Sequence, residues 1–327
     1  MRWSMLLSMV FLVSVTLGLQ TSPAQADLTL TPAGTAAGFS LSTFATGFPS
    51  ISNIGPLGIA FPGSGVLVTD YPGNVRLFAA DTDGQTAGAA PIGQNYGSTN
   101  AVGLGQIGTH IYMTQQAADK VVEVSGTGAF VQDIVSGINF ATGIIDNPAN
   151  GHLFVSNVSQ IFDVNPVTKT STLFVTSPAD GLSISPDGSI LYAAASGHIF
   201  GFDTTTKAVV FDSGVIAGGL DGTALGFGSL AGNIFGNTNG GTVVEVNLAT
   251  KAQTLLATGG SRGDFVTVDP NNGTLLLTQS NTIVRLIPPA GGGFVPVPPP
   301  SGVPEPATWL LLGSGLAGLV LWRRRAA

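Results

Sequence analysis

The chain has 327 residues and is poor in charge, with 9% charged residues, 46 glycines and no cysteine. This composition is typical of an all-β protein with many turns, and the lack of cysteine excludes disulfide bonds and thiolate metal sites. The formal net charge is −7 although Arg323–Arg325 add positive charge at the C-terminus, so we expect no binding to nucleic acid.

Residues 1–26 have the three-part pattern of a secretory signal peptide. Arg2 precedes an apolar run from Met5 to Leu19, and Ala24-Gln25-Ala26 follows as a small-x-small cleavage site. We therefore predict that the mature chain begins at Asp27 and that the protein is exported.

A sequence pattern of about 40 residues then repeats six times, and a unit of this length is typical of one blade of a β-propeller. Each copy contains short apolar runs separated by Gly, Pro, Asp and Asn, as at the turn Pro186-Asp187-Gly188, and such runs predict four antiparallel strands. The pattern predicts an all-β fold over residues 27–289, a six-bladed β-propeller of four-stranded antiparallel blades. The copies start at Leu57, Val102, Thr142, Asp180, Asp221 and Asp264.

The last copy contains only three clear strands, because Pro288-Pro289 follows them and proline suits a strand poorly. Upstream of the first copy, residues 39–46 resemble the fourth strand of the fifth copy near Thr254–Gly259. We predict that this N-terminal segment closes the ring as the outer strand of the sixth blade. A free N-terminal arm is the alternative.

The innermost strand of every blade starts on the same face, so the starts of the six copies should meet at one mouth of the central channel. Three consecutive copies place Asp180, Asp221 and Asp264 there, and converging carboxylates predict a divalent cation, with Ca²⁺ as the expected ion. Loops on this face add Asp70, Asn157 and Asn237 as predicted ligand-binding residues. The alternative is structural: each aspartate accepts hydrogen bonds from backbone amides where a strand starts.

Other side chains that carry chemistry are less promising, and we predict no catalytic residue. The three histidines, His110, His152 and His198, have no partner at metal-ligand spacing. Glu123 and Glu245 occupy strand positions that should face solvent. We expect no basic residue and no glutamate at the channel mouth.

The C-terminal part begins with a Pro/Gly-rich spacer at 290–302 and continues to the end of the chain at 303–327. It contains Pro304, Glu305 and Pro306, then an apolar stretch at 307–322 that predicts a short transmembrane helix, then Arg323, Arg324 and Arg325. This order resembles the PEP-CTERM sorting signal of Gram-negative bacteria. The resemblance implies recognition by an exosortase, with the membrane contacted through this segment before processing, and delivery to the cell surface or extracellular matrix. A plain membrane anchor is the alternative.

The repeats resemble six-bladed propellers of the gluconolactonase-like and NHL-repeat kind. In gluconolactonase-like enzymes a Glu, an Asn and an Asp hold the channel metal, and here no Glu is expected at a channel position. We therefore expect an exported, surface-sorted propeller that binds a ligand, a partner or a matrix polymer such as extracellular polysaccharide at its acidic mouth. The alternative is a metal-dependent hydrolase or lyase of the gluconolactonase-like type.

Overall fold

The computed structural model describes residues 27–296. The predicted signal peptide at 1–26, the predicted transmembrane helix and the arginines at the C-terminus lie outside the described residues. Between Asp27 and Pro296 there is no helix with the length and apolar character needed to cross a membrane.

Six antiparallel sheets of four strands surround a central axis, which confirms the all-β, six-bladed propeller. Blades 1 to 3, from the innermost strand outwards, consist of Pro56–Ala60, Val66–Asp70, Asn74–Phe78 and Ile92–Asn95; Leu104–Ile107, His110–Gln115, Lys120–Val124 and Phe130–Ser136; Ile144–Asn147, His152–Ser156, Ile161–Asn165 and Thr170–Val175. Blades 4 to 6 consist of Leu182–Ile184, Ile190–Ala195, His198–Asp203 and Val209–Asp212; Leu220–Leu225, Asn233–Thr238, Val243–Asn247 and Gln253–Thr258; Val266–Val268, Leu275–Thr278, Ile283–Ile287 and Ser40–Thr46. We call the face where the innermost strands begin the mouth, and the opposite face the far face.

The N-terminal segment closes the ring, as predicted. Ser40–Thr46 pairs antiparallel with Ile283–Ile287 as the outer strand of blade 6, so the free-arm alternative is wrong. Two short strands extend the sheets further: Gln85–Thr86 runs parallel to Ser40–Thr46, and Thr29–Leu30 pairs with the outer strand of blade 5. The one-turn helix Pro32–Ala36 connects the two N-terminal strands.

Glycine lets the innermost strands of neighbouring blades pack closely. Five of the six blades carry it directly after the residue where their copy starts: Gly58, Gly103, Gly143, Gly181 and Gly222. A Cβ on any of these glycines would overlap backbone atoms of the next blade, for example the carbonyl oxygen of Asp180 in the case of Gly143. The glycines therefore set how tightly the blades surround the channel.

A side-chain hydroxyl near the end of the second strand links three pairs of neighbouring blades. Thr114 Oγ1 accepts from Gly103 N at 2.8 Å and donates to Thr142 O of the next blade at 2.6 Å. Thr69 makes the same two bonds between blades 1 and 2, and Ser156 makes them between blades 3 and 4. Blade 4 has Ala194 at this position, so this link is missing between blades 4 and 5.

The chain leaves the propeller across its far face. Gly292–Gly293 pairs with Phe227–Gly228, which lies between the first and second strands of blade 5. Phe294 is 1% exposed and packs edge-on against Phe235, with ring centroids 4.9 Å apart. The packed chain thus extends past Pro289, where the sequence predicted the propeller to end.

Candidate functional site

Asp180, Asp221 and Asp264 lie together at the mouth, and Arg262 lies among them. The Arg262 guanidinium donates from Nε to Asp264 Oδ1 at 2.7 Å and from Nη2 towards Asp221 Oδ2 at 3.5 Å. The carboxyl groups of Asp180 and Asp264 lie close enough to that of Asp221 to affect its titration. Asp221 and Asp264 are buried, whereas Asp180 is exposed in the mouth.

Burial and mutual repulsion change how these carboxyls titrate. Burial, together with the neighbouring Asp180 and Asp264, raises the pKa of Asp221 to about 8, against the opposing effect of Arg262. Burial raises the pKa of Asp264 to about 6, and Arg262 again opposes the change. At neutral pH Asp221 therefore keeps its proton and can donate it in a hydrogen bond to a neighbouring carboxylate. One proton and one guanidinium thus compensate most of the acidic charge.

Arg262 corrects the expectation that no basic residue lies at the mouth. It lies in the connection between the outer strand of blade 5 and the innermost strand of blade 6. Such connections vary in length from copy to copy, so aligning the repeats assigns them no position. The signal available in the sequence was that Arg262 is only two residues from Asp264, which the alignment does place at the mouth.

Buried oxygen atoms without a partner concentrate at the mouth. Within residues 27–296, six buried side-chain atoms lack a hydrogen-bond partner, and five of them belong to loops or strand ends on this face: Asn100 Oδ1, Gln116 Oε1, Asn237 Oδ1, Asn239 Oδ1 and Asp264 Oδ2. All five are acceptors. Because a buried polar atom without a partner costs free energy, these oxygens favour additional donors from water, from a ligand or, at Asp264, from the proton on Asp221.

The other predicted ligand-binding residues are engaged within the fold. Asp70 is fully buried, and its oxygens accept from Asn74 and from Arg76 Nε at 3.2 Å. Asn157 Oδ1 accepts from the amides of Ser159 and Gln160 in a tight turn. Only Asn237 keeps an unpartnered atom, since its Nδ2 donates to two backbone carbonyls while its Oδ1 has no donor. That oxygen is the one buried side-chain atom of these three residues that has no partner.

The histidines lie in carboxylate pairs outside the mouth cluster. The three contacts, each from the imidazole Nδ1, are His110 with Glu123 at 2.6 Å, His152 with Asp163 at 2.7 Å, and His198 with Asp212 at 2.7 Å. Glu123 is 8% exposed and also accepts from Gln132, so the expectation that it faces solvent is wrong.

The described residues show no ready-made metal centre. Between Asp27 and Pro296 there is no group of three or more Asp, Glu, His or Cys side chains arranged to hold a metal ion. The guanidinium of Arg262 already provides the mouth aspartates with a cation. The binding of Ca²⁺ by Asp180, Asp221 and Asp264 therefore stays a prediction.

Solved structures with the same architecture have several different activities. A gluconolactonase from Xanthomonas campestris is similar, with a TM-score of 0.61, 15% identity, and coverage of 82% of this chain and 99% of that chain. A streptogramin B lyase matches with a TM-score of 0.53 and 14% identity, covering 76% of this chain and 98% of its own. An auxiliary nutrient binding protein from Bacteroides ovatus matches with a TM-score of 0.57 and 11% identity, covering 77% of each chain. At these identities the likeness shows the fold alone.

The comparison with curated proteins finds no match. A family model described as the PEP-CTERM protein-sorting motif matches residues 302–325, which include Pro304-Glu305-Pro306 and the terminal arginines. Such a motif implies processing by an exosortase, with export and surface sorting in Gram-negative bacteria. The chain is therefore a six-bladed β-propeller, with gluconolactonase-like structural neighbours, that carries a PEP-CTERM protein-sorting motif at its C-terminus.

Proposed function

We propose that this protein, delivered to the cell surface or extracellular matrix, binds a polyhydroxylated ligand such as a matrix polysaccharide at its mouth. The observation that carries the proposal is the polar mouth, where the exposed Asp180 and the partly exposed Arg262 lie on the same face as five buried acceptor oxygens that have no partner within the fold. A hydroxyl-rich ligand supplies many donors in a small volume, and it can also accept from the exposed part of Arg262. Because Arg262 and a proton offset the aspartates, the ligand needs no charge of its own.

Retention on an immobilised neutral polysaccharide tests this proposal. The probes are cross-linked dextran and cellulose, with soluble oligosaccharide of the same composition as competitor. Gln116→Ala removes an unpartnered oxygen at the mouth and should reduce retention. The matched control is Gln94→Ala, since Gln94 lies on the outer strand of blade 1 and should leave retention unchanged. Equal loss in both variants, or no retention of the wild type on either polymer, would contradict a polysaccharide ligand.

Calcium is the other proposed occupant of the mouth. Asp264 Oδ2 has no partner, and a divalent cation there would take the place of both Arg262 and the proton on Asp221. A cation that binds only the folded state raises stability by about 2.7 kcal/mol at 100 times its dissociation constant. Millimolar Ca²⁺ should therefore raise the melting temperature and chelator should lower it. Identical melting in the two conditions would rule out the ion.

A metal-dependent or acid-assisted hydrolase is the second candidate function. The observation that favours it is a carboxyl with a pKa of about 8, since a group still protonated near neutral pH can act as a general acid. Simple lactones are the substrates to test. Measurable turnover that falls in Asp221→Asn would favour the enzyme over the binding protein.

A further inference from the structure

A cavity lies on the channel axis, open towards the far face and lined by none of the residues of the aspartate cluster. It has a volume of about 650 Å³, and its walls come from the innermost strands of all six blades together with the departing chain at Phe294–Pro296. Cavities of roughly 300 to 1,000 Å³ hold small organic ligands. None of the mouth residues Asp180, Asp221, Arg262 or Asp264 lines it.

The wall of this cavity is mainly aliphatic. It includes Ile59, Leu104, Ile144, Leu182 and Val266. The hydroxyls of Ser183 and Thr223 also line it, but they bond to one another at 3.0 Å. An apolar ligand body would thus contact a surface with few unpaired hydrogen-bonding groups.

One ionisable side chain interrupts the apolar wall. Asp146 is half-buried at the end of the innermost strand of blade 3, and no other residue between 27 and 296 donates a hydrogen bond to its carboxylate. No lysine, arginine or histidine among the described residues lines the cavity. Burial raises the pKa of Asp146, as expected for a carboxylate without a compensating cation.

We propose that this cavity binds a small amphipathic cation, a molecule with a compact apolar body and a protonated amine that pairs with Asp146. The aliphatic wall buries the body, and the carboxylate supplies the charge-assisted hydrogen bond that fixes the orientation. The Asp146 carboxylate would repel an anionic head group. A neutral molecule would lose only the charged contact. The charge of the head group therefore decides selectivity.

Three adamantane derivatives with the same body and different heads make a direct test: aminoadamantane, adamantanol and adamantane carboxylate. By calorimetric titration the amine should bind roughly tenfold tighter than the alcohol, and the carboxylate should bind weakest. Asp146→Asn should bring the amine to the affinity of the alcohol without changing the alcohol. Thr267→Phe adds a ring to the wall and should weaken both.

Two charge-matched controls separate this site from other effects. Asp133→Asn removes a charge from an exposed outer strand, and Asp264→Asn removes one at the mouth; both should leave the preference for the amine intact. The proposal is overturned if the amine binds no tighter than the alcohol, or if its advantage survives in Asp146→Asn. Titrations should use the full chain and the chain ending at Pro296, since residues 27–296 form a closed ring on their own. Binding only to the shortened chain would identify the C-terminal segment as the occupant and also overturn the proposal.

Discussion

The raised pKa of Asp221 predicts an unusual dependence of stability on pH. The folded state holds a proton on Asp221 with a pKa of about 8, against 3.8 for a free aspartate. The stabilisation that this proton provides is complete below pH 3.8, the pKa in the unfolded chain. It is lost as the pH rises through about 8, the pKa in the folded state. The protein should therefore become less stable between pH 5 and pH 7, where ordinary surface carboxylates have no effect.

The size of the loss follows from linkage. One proton held only by the folded state changes the free energy of unfolding by about 1.4 kcal/mol per pH unit, or about 2.7 kcal/mol between pH 5 and pH 7. In a domain of this size that corresponds to roughly 5 to 10 °C in melting temperature. Asp264, with a pKa of about 6, adds a smaller loss of the same sign.

Urea unfolding of wild type and Asp221→Asn at half-unit pH steps measures this effect. Asparagine imitates the protonated acid, so the variant should lack the Asp221 contribution, and its advantage over wild type should grow with pH. Asp133→Asn, an exposed carboxylate paired with Lys120, controls for the loss of one charge. Parallel profiles for wild type and Asp221→Asn from pH 5 to pH 8 would refute the assignment of a proton to this group.

Three further outcomes are expected. Ala194→Ser should restore the missing link between blades 4 and 5 and raise the free energy of unfolding by about 1 kcal/mol, whereas Ser156→Ala should lower it; urea titration measures both. Arg285 on blade 6 forms ion pairs with the buried Asp269 and the half-buried Asp81, so Arg285→Leu should cost about 3 to 5 kcal/mol, and an unchanged unfolding midpoint would show that these ion pairs are not stabilising. Replacing Pro304-Glu305-Pro306 by alanines should abolish surface delivery in a host with an exosortase; normal yield at the surface by cell fractionation would leave a plain anchor as the explanation.

The architecture was predictable because each blade repeats the same short-range chemistry. Turns such as Pro186-Asp187-Gly188 and alternating apolar runs recur in each copy, so even the origin of the closing strand at Ser40–Thr46 could be identified. The two-residue strands Thr29–Leu30 and Gln85–Thr86 could not be predicted, since two residues carry no periodicity. They form only because folded sheets present an edge for pairing.

The candidate site was only partly predictable. Repeat alignment places the three aspartates on one face, but Arg262 lies in a connection whose length varies from copy to copy, so the alignment assigns it no position. Glu123 shows a second limit of prediction from the sequence. Alternation along its strand predicts a solvent-facing side chain, yet four of the five residues of Lys120–Val124 are buried, because neighbouring strands and blades cover both faces. Burial on both faces is a property of the assembled ring and leaves no alternating pattern in the sequence.

The departure of the chain across the far face determines which way a tethered propeller points. Gly292–Gly293 and Phe294 fix the point of exit, and only ten residues, 297–306, separate Pro296 from the apolar stretch that starts at Ala307. Ten residues reach at most roughly 35 Å. A path outwards across a four-stranded blade and up the length of its outer strand already uses about 30 Å, given the spacing of the strands and the rise per residue. In a propeller held through its C-terminal segment, the far face would therefore lie nearer to the point of attachment than the aspartate mouth.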